Sequence, residues 1–239
     1  VCFAMSYHEG EDHTIERPPD YDFWRDFTPE LVPPWSGKLL SLTGLSPRTL
    51  APVRYNFQPH REPFEAFAGL WTYRRILHRE NFRAGAFASD ITLVNYPQID
   101  YLLGDLANAS GYDEKQEIID EAKQQSLSFL YYLQTELGFK GLKIRPDVVG
   151  TADGLAKLPY IREARRIKAE FTVTQAHVSA ALRPQENRAA PFHDSVGIGF
   201  YRIDLHPTCG GDNYLDVEAL PFQIPLGALI PQAMENLLP

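Results

Sequence analysis

Apolar side chains recur close to every 3.6 residues between positions 113 and 137, the period of a helix with one buried face. This pattern predicts one long helix over residues 113–137. Asp113 and Gln116 are spaced to cap its start, and Gly138 is placed to end it. We therefore expect this helix to be the longest regular element of the chain.

Shorter apolar runs have the spacing of strands. The predicted strands cover residues 70–76, 91–96, 170–174 and 196–205. Turns separate them far more often than helices do, which favours antiparallel pairing with the helix packed beside the sheet. Gly197 and Gly199 lie inside the last of these strands and predict a bulge or the close approach of another backbone.

Residues 1–65 have a different texture, because prolines interleave there with aromatic residues. Proline lacks a backbone donor, so long helices and central strands are disfavoured in this stretch. We expect an irregular segment that wraps the rest of the chain and is anchored by its aromatic side chains. The predicted fold class is therefore α+β, with a mainly antiparallel sheet, one long helix and this N-terminal wrap.

Composition narrows the function classes. Of the 239 residues, 44% are hydrophobic and 23% are charged, which is ordinary globular usage. The net charge of −8 argues against nucleic-acid binding, which needs a basic face. No apolar run approaches the ~20 residues that span a bilayer, so we expect a soluble protein, with the cytoplasm favoured. The chain starts at Val1 without an initiator and closes on an apolar run, so we expect a piece of a longer protein.

Two groups of residues are candidates for chemistry. Arg162, Arg165 and Arg166 lie within five positions and could clamp a carboxylate or phosphate, although such spacing equally suits an ordinary salt-bridge network. Asp204 and His206 are two residues apart on a predicted strand and therefore share a face. Asp204 could then orient His206 as a general acid or base, or the histidine could be structural.

Other constellations are weak. The run His193-Asp194-Ser195 cannot form a hydrolase triad, because adjacent residues lack the required geometry. The pair Gly197 and Gly199 lacks the third glycine of a dinucleotide-binding loop. Cysteines and histidines show no zinc-ligand spacing, so no metal site is predicted. A carbohydrate hydrolase would depend only on scattered carboxylates and aromatic residues.

Several segments match a known family as an ordered set. In order, the chain carries LWTYRRI (70–76), DITLVNYPQIDY (90–101), SLSFLYYLQTE (126–136), DGLAKLPYIREARRI (153–167), DSVGIGFYRIDLH (194–206) and PFQIPLGALIP (221–231). This set resembles the middle of a large family of FAD-dependent oxidoreductases related to the glutathione-reductase-like flavoproteins. The family's usual PYIRESRRI has a serine where this chain has Ala164.

The resemblance implies that two parts of the chain have different functions. Residues 1–220 would form a substrate-side domain, and residues 221–239 would begin the return into a flavin-binding domain that is not present. FAD would be the cofactor of the complete protein, held largely outside this chain and contacted weakly by Ile224 and Pro225. The chain alone would then be inactive.

The same resemblance implies roles for individual residues toward a small-molecule substrate. The residues with a catalytic role would be Arg162, Arg166 and His206, and those that bind substrate would be Arg165, Tyr201 and Asp204. The alternative is a non-catalytic binding or assembly module that a partner chain completes.

Overall fold

A computed structural model describes residues 1–61, 69–162 and 167–232. The strands are β1 (Phe3–Tyr7), β2 (Thr43–Leu45), β3 (Pro52–Arg54), β4 (Arg75–Leu77), β5 (Ile91–Val94), β6 (Leu142–Ile144), β7 (Ser195–Gly199), β8 (Ile203–Leu205), β9 (Leu215–Val217) and β10 (Phe222–Pro225). The helices are α1 (Tyr21–Asp26), α2 (Leu70–Tyr73), α3 (Tyr112–Thr135), α4 (Pro146–Val149) and α5 (Gln175–Val178).

The chain divides into two compact units. Unit 1 comprises Val1–Ser46, Ala51–Ile161 and Pro207–Asn213, and unit 2 comprises Pro47–Leu50, Arg162–His206 and Tyr214–Pro239. All pairs between the named strands are antiparallel among the described residues. The predicted α+β class, with mainly antiparallel sheet and one long helix, is confirmed.

Unit 1 is built around a four-stranded sheet in the order β4-β5-β1-β6. Strand β1 lies inside this sheet and pairs with β5 and β6, and Phe3, Ala4 and Met5 on it are fully buried. The start of the predicted wrap is therefore a central strand, which its apolar sequence without proline permits. The rest of the described part of residues 1–65 holds only short elements, as expected from its prolines.

Helix α3 confirms the predicted long helix to within two residues at each end. Its cap is not the predicted pair, because Gly111 precedes the first turn and the Glu114 carboxylate accepts hydrogen bonds from the Ser110 N–H and hydroxyl. Gly138 follows the helix with a φ of 78°, the left-handed conformation that favours glycine at a helix end. Phe129, among others, places the apolar face of the helix in the main core.

Three strand predictions are corrected by the structure. Residues 70–76 begin with the helical turn α2, because Leu70, Trp71 and Thr72 are buried consecutively where a half-buried strand would bury alternate residues. Residues 170–174 form no strand, and their backbone instead donates hydrogen bonds to Gly227 and Ile230. The single strand predicted over residues 196–205 is two strands, β7 and β8, in separate two-stranded sheets.

The glycines of β7 allow its partner strand to pack side chains directly against the backbone. Phe222 and Ile224 on β10 lie opposite Gly199 and Gly197. A Cβ atom added to Gly199 would lie 2.6 Å from the Phe222 ring, whereas one at Gly197 would lie 3.7 Å from Ile224. The close approach is therefore made by a side chain, where the sequence predicted a bulge or another backbone. The pairing also shifts register between Ile224 and Pro225.

Candidate functional site

The paired strands β8 and β9 place several polar side chains on one face of unit 2. Asp204 lies directly opposite Asp216, and residues opposite each other in an antiparallel pair project from the same face. Because side chains alternate along a strand, Arg202 and His206 continue this face on either side of Asp204. The same register brings Tyr214 opposite His206, and their rings meet edge to face with centroids 5.9 Å apart.

Asp216 is the anchor of this face. Its side chain is only 4% exposed, and it accepts two hydrogen bonds from Arg202, at 2.8 Å from Nε to Oδ1 and 2.6 Å from Nη2 to Oδ2. Arg48 lies 3.6 Å from the same carboxylate. A buried carboxylate needs such partners, because burial without them carries a large desolvation penalty. The two cations therefore neutralise Asp216 and fix the position of Arg202.

Arg162 and His206, which the sequence analysis identified as separate candidates, are in contact. The distance from Arg162 Nη1 to His206 Nε2 is 2.9 Å, and both residues are partly buried. A guanidinium group has donors and no acceptor, so the nitrogen of His206 must be the acceptor. The imidazole in this contact is therefore neutral, with its proton on Nδ1.

The other predicted site residues divide into three groups. Asp204 is partly buried on β8, and its Oδ2 lies 3.5 Å from the hydroxyl of the exposed Tyr201. Arg165 and Arg166 lie outside the described residues. Ile224 and Pro225 belong to β10, which pairs with β7 in a sheet separate from that of β8 and β9.

The segment that contains Ile224 is held within unit 2 by hydrogen bonds at Gln223 and Gly227, which lie on either side of Ile224. The Asp194 carboxylate accepts a hydrogen bond of 3.0 Å from the Gly227 N–H, which lowers the pKa of Asp194. The Gln223 side chain accepts another from the Phe192 N–H at 2.7 Å. Strand β10 thus has its partners within unit 2. The predicted boundary between a substrate-side domain (1–220) and the return into a flavin-binding domain (221–239) stays a prediction.

Comparison with known proteins assigns the family. A family model described as "FAD dependent oxidoreductase" matches residues 4–239, which is nearly the whole chain. The chain belongs to the FAD-dependent oxidoreductase family. The cofactor of this family is FAD. A search of curated proteins and a search of solved structures each gave no match.

The described residues of this oxidoreductase do not fit the phosphates of FAD. A dinucleotide cradle needs a glycine-rich turn between a strand and a helix, with open space for a pyrophosphate beside the glycines. Gly197 and Gly199 lie inside β7, and the Phe222 ring already fills the space beside Gly199. The start of α3 carries Asp113 and Glu114 in its first turn, and like charge disfavours a phosphate there.

The sequence reasoning missed the residues that organise the site. Arg202 precedes β8, Arg48 lies far away in the chain, and Asp216 counted only as one of many scattered carboxylates. One signal was available for Arg202, since the period of two that links Asp204 to His206 also places Arg202 on their face. No local signal identifies Asp216, because its role depends on its position opposite Asp204.

Neither a metal-binding cluster nor a membrane-spanning helix occurs among the described residues. Within residues 1–61, 69–162 and 167–232, no group of three or more His, Cys, Asp or Glu side chains could hold a metal ion. No helix in the part of the chain that the structure describes is long and apolar enough to cross a membrane.

Proposed function

We propose that this chain supplies the substrate-binding side of an FAD-dependent oxidoreductase, and that residues outside it hold the phosphates of FAD. These residues would belong to a flavin domain of the glutathione-reductase-like type, in the same polypeptide or in a partner chain. The contact between Arg162 and His206 on the polar face of β8 and β9 carries the proposal. It joins a fixed positive charge to a neutral imidazole, a combination suited to binding and orienting a small anionic substrate.

The roles of the site residues follow from their chemistry. FAD supplies the redox chemistry of this family. Arg162, with Arg165 and Arg166, would bind the anionic part of the substrate. His206 would hold or accept a proton, and Asp204 with Tyr201 would contact the remaining polar groups of the substrate. Ile224 and Pro225 would approach the cofactor only weakly, and the chain alone would be inactive.

Two measurements test this proposal. The purified chain is dialysed against FAD, and its visible absorption spectrum is recorded; we expect no stoichiometric flavin. A two-band flavin spectrum at one FAD per chain would show that the chain holds the cofactor itself. A thermal-shift screen of small carboxylates, phosphates, sugars and amines then seeks ligands of the site.

The screen is read with matched variants. We expect stabilisation by an anionic compound that Arg162→Gln and His206→Phe abolish. Arg188→Gln should preserve it, because Arg188 is exposed and lies in the loop after α5. Stabilisation that persists in Arg162→Gln, or no stabilisation by any anion, would contradict a substrate role for the pair.

The second candidate function is a non-catalytic binding or assembly module that a partner completes. One observation favours it: Val196, Ile198 and Phe200 alternate along β7 and beyond its end, and Ile198 is 81% exposed. Exposed apolar rows of this kind mark interaction surfaces. Light scattering tests this function, since association that Ile198→Glu abolishes would support it and a monomer at high concentration would oppose it.

A further inference from the structure

The bond between Arg162 and His206 fixes what each group offers to a ligand. Arg162 is a cation, because a guanidinium group stays protonated in proteins. His206 Nε2 carries a lone pair and no proton, since it accepts from Arg162 Nη1 at 2.9 Å. This bond therefore joins one charged donor to one neutral acceptor.

A ligand that enters between the two groups must replace both halves of this bond. Arg162 needs an acceptor, and an anion is a better acceptor for a guanidinium than a neutral group, because it adds the attraction of opposite charges. His206 Nε2 needs a donor, because an acceptor that is partly shielded from water is unfavourable without a partner. An anion without a donor satisfies Arg162 alone, and an alcohol without a charge competes poorly for it.

The surrounding face limits the ligand further. Asp216 already neutralises Arg202, so that guanidinium adds little attraction for a second anionic group. Asp204 lies on the same face as His206 and repels further negative charge. The ring of Tyr214 lies against the imidazole and limits its rotation. These contacts favour a ligand with a single negative charge.

We infer that the Arg162–His206 pair takes a small monoanion that carries a neutral O–H or N–H donor beside its carboxylate, as a 2-hydroxy acid does. The carboxylate accepts from Arg162, and the hydroxyl donates to His206 Nε2. This inference rests on the proposed function, since it names the ligand class of the proposed substrate site.

Glycolate and acetate provide the test, because they differ by one hydroxyl group. Both acids are titrated into the full chain with ¹⁵N-labelled histidine, and binding is followed by NMR of the imidazole nitrogens. We expect glycolate to bind about fivefold more tightly than acetate, the effect of one ordinary hydrogen bond. His206 should retain its proton on Nδ1 in the free and bound states.

Variants separate the two groups. His206→Phe should reduce the ratio of the two affinities to about one. Arg162→Gln should weaken the binding of both acids. Arg188→Gln and His193→Phe are the controls, because both residues are exposed in the same unit. Far-UV circular dichroism checks that each variant is folded, and the comparison of the two acids in the unaltered chain needs no variant.

The possible results are distinguishable. Equal affinity of glycolate and acetate, or a His206 proton on Nε2, overturns the donor requirement and leaves the anion clamp of Arg162 in place. Absence of binding by both acids, or binding that Arg162→Gln does not weaken, overturns this inference together with the proposed substrate site. A glycolate preference that His206→Phe removes supports the inference.

Discussion

Unit 1 and unit 2 differ most in what fills their interiors. The main core of unit 1 contains large buried side chains such as Trp71, Phe3 and Phe129. Among the described residues of unit 2, the buried cluster consists of Val178, Ala189 and Ala219, which together bury much less apolar area. Hydrophobic burial therefore stabilises unit 1 strongly, whereas unit 2 depends more on its polar contacts.

This difference matters for function because the candidate site lies in the weaker unit. The ion pair of Asp216 with Arg202 stabilises β8 and β9, which carry the site. The hydrogen bond from Gly227 to Asp194 stabilises the other strand pair of this unit, β7 and β10. Regions with few buried apolar contacts open more readily, and binding sites commonly occur in them. Variants in unit 2 are therefore expected to change local stability as well as binding, whereas variants in the core of unit 1 should change global stability.

The largest effect is expected in the core of unit 1. Phe129→Ala removes a fully buried ring from α3 and should lower the free energy of unfolding by about 3–5 kcal/mol. Tryptophan fluorescence in urea measures this, because all three tryptophans, Trp24, Trp35 and Trp71, belong to unit 1.

Ile198→Ala is the matched control in unit 2. It removes an apolar side chain that is mostly exposed, so its effect should stay within about 0.5 kcal/mol. If both variants shift the fluorescence transition equally, the contrast between a buried core and an exposed strand is wrong.

The second effect concerns the polar anchor of unit 2. Asp216→Asn removes the charge that accepts from Arg202, and we expect a local loss of about 2–3 kcal/mol. Hydrogen exchange followed by mass spectrometry should show faster exchange in residues 203–217, with the tryptophan transition of unit 1 unchanged. Asp204→Asn is the control, because the contact of Asp204 with Tyr201 is long and exposed. Unchanged hydrogen exchange in Asp216→Asn would show that Asp216 does not stabilise these strands.

The third effect tests the close approach of β10 to β7. Gly199→Ala places a Cβ atom 2.6 Å from the Phe222 ring, so the ring or the strands must shift. We expect this shift to lower the local stability of the strand pair by about 1–2 kcal/mol. Gly197→Ala is the control, since its Cβ would make an ordinary contact at 3.7 Å with Ile224. Faster exchange of the β7 amides only in Gly199→Ala is the expected result. Equal exchange in the two variants would show that the ring moves aside easily.

The sequence predicted the parts of the fold that depend on long local patterns. Helix α3 repeats its apolar period over many residues, and Gly138 ends it as the pattern requires. Short strands gave less reliable predictions. Residues 70–76 have the alternation of a strand, yet Leu70 to Thr72 form a buried helical turn, because tertiary burial outweighs local preference in short segments.

The candidate site was predicted only in part for a related reason. Arg162 and His206 stand out by residue type and spacing, but nothing local in the sequence indicates that they touch each other across 44 positions. Asp216 and Arg48 gain their roles from strand register and long-range folding. A single sequence carries little information on such contacts, whereas it carries clear information on helix period.

The smallest effect is a pH dependence confined to unit 1. Burial lowers the pKa of His60 below its ordinary value of 6.5, against the opposing pull of Asp90 and Glu9 and with help from Arg79 and His8. The fold thus favours the neutral imidazole, whose Nε2 lies 3.0 Å from the hydroxyl of Ser89. This contribution is present above pH 6.5 and is lost as the pH falls through the lowered pKa of the folded state.

Urea unfolding followed by tryptophan fluorescence at pH 7.5 and pH 5.5 measures the pH dependence of His60. We expect a lower midpoint at pH 5.5, because the unfolded state then binds the proton that the folded state resists. His60→Gln should reduce the difference between the two midpoints, and His193→Gln in unit 2 should leave it unchanged. Burial also lowers the pKa of His8, so His60→Gln should leave a residual difference between the two midpoints. Equal pH dependence in His60→Gln and the unaltered chain would assign the effect to His8 and the carboxylates of unit 1.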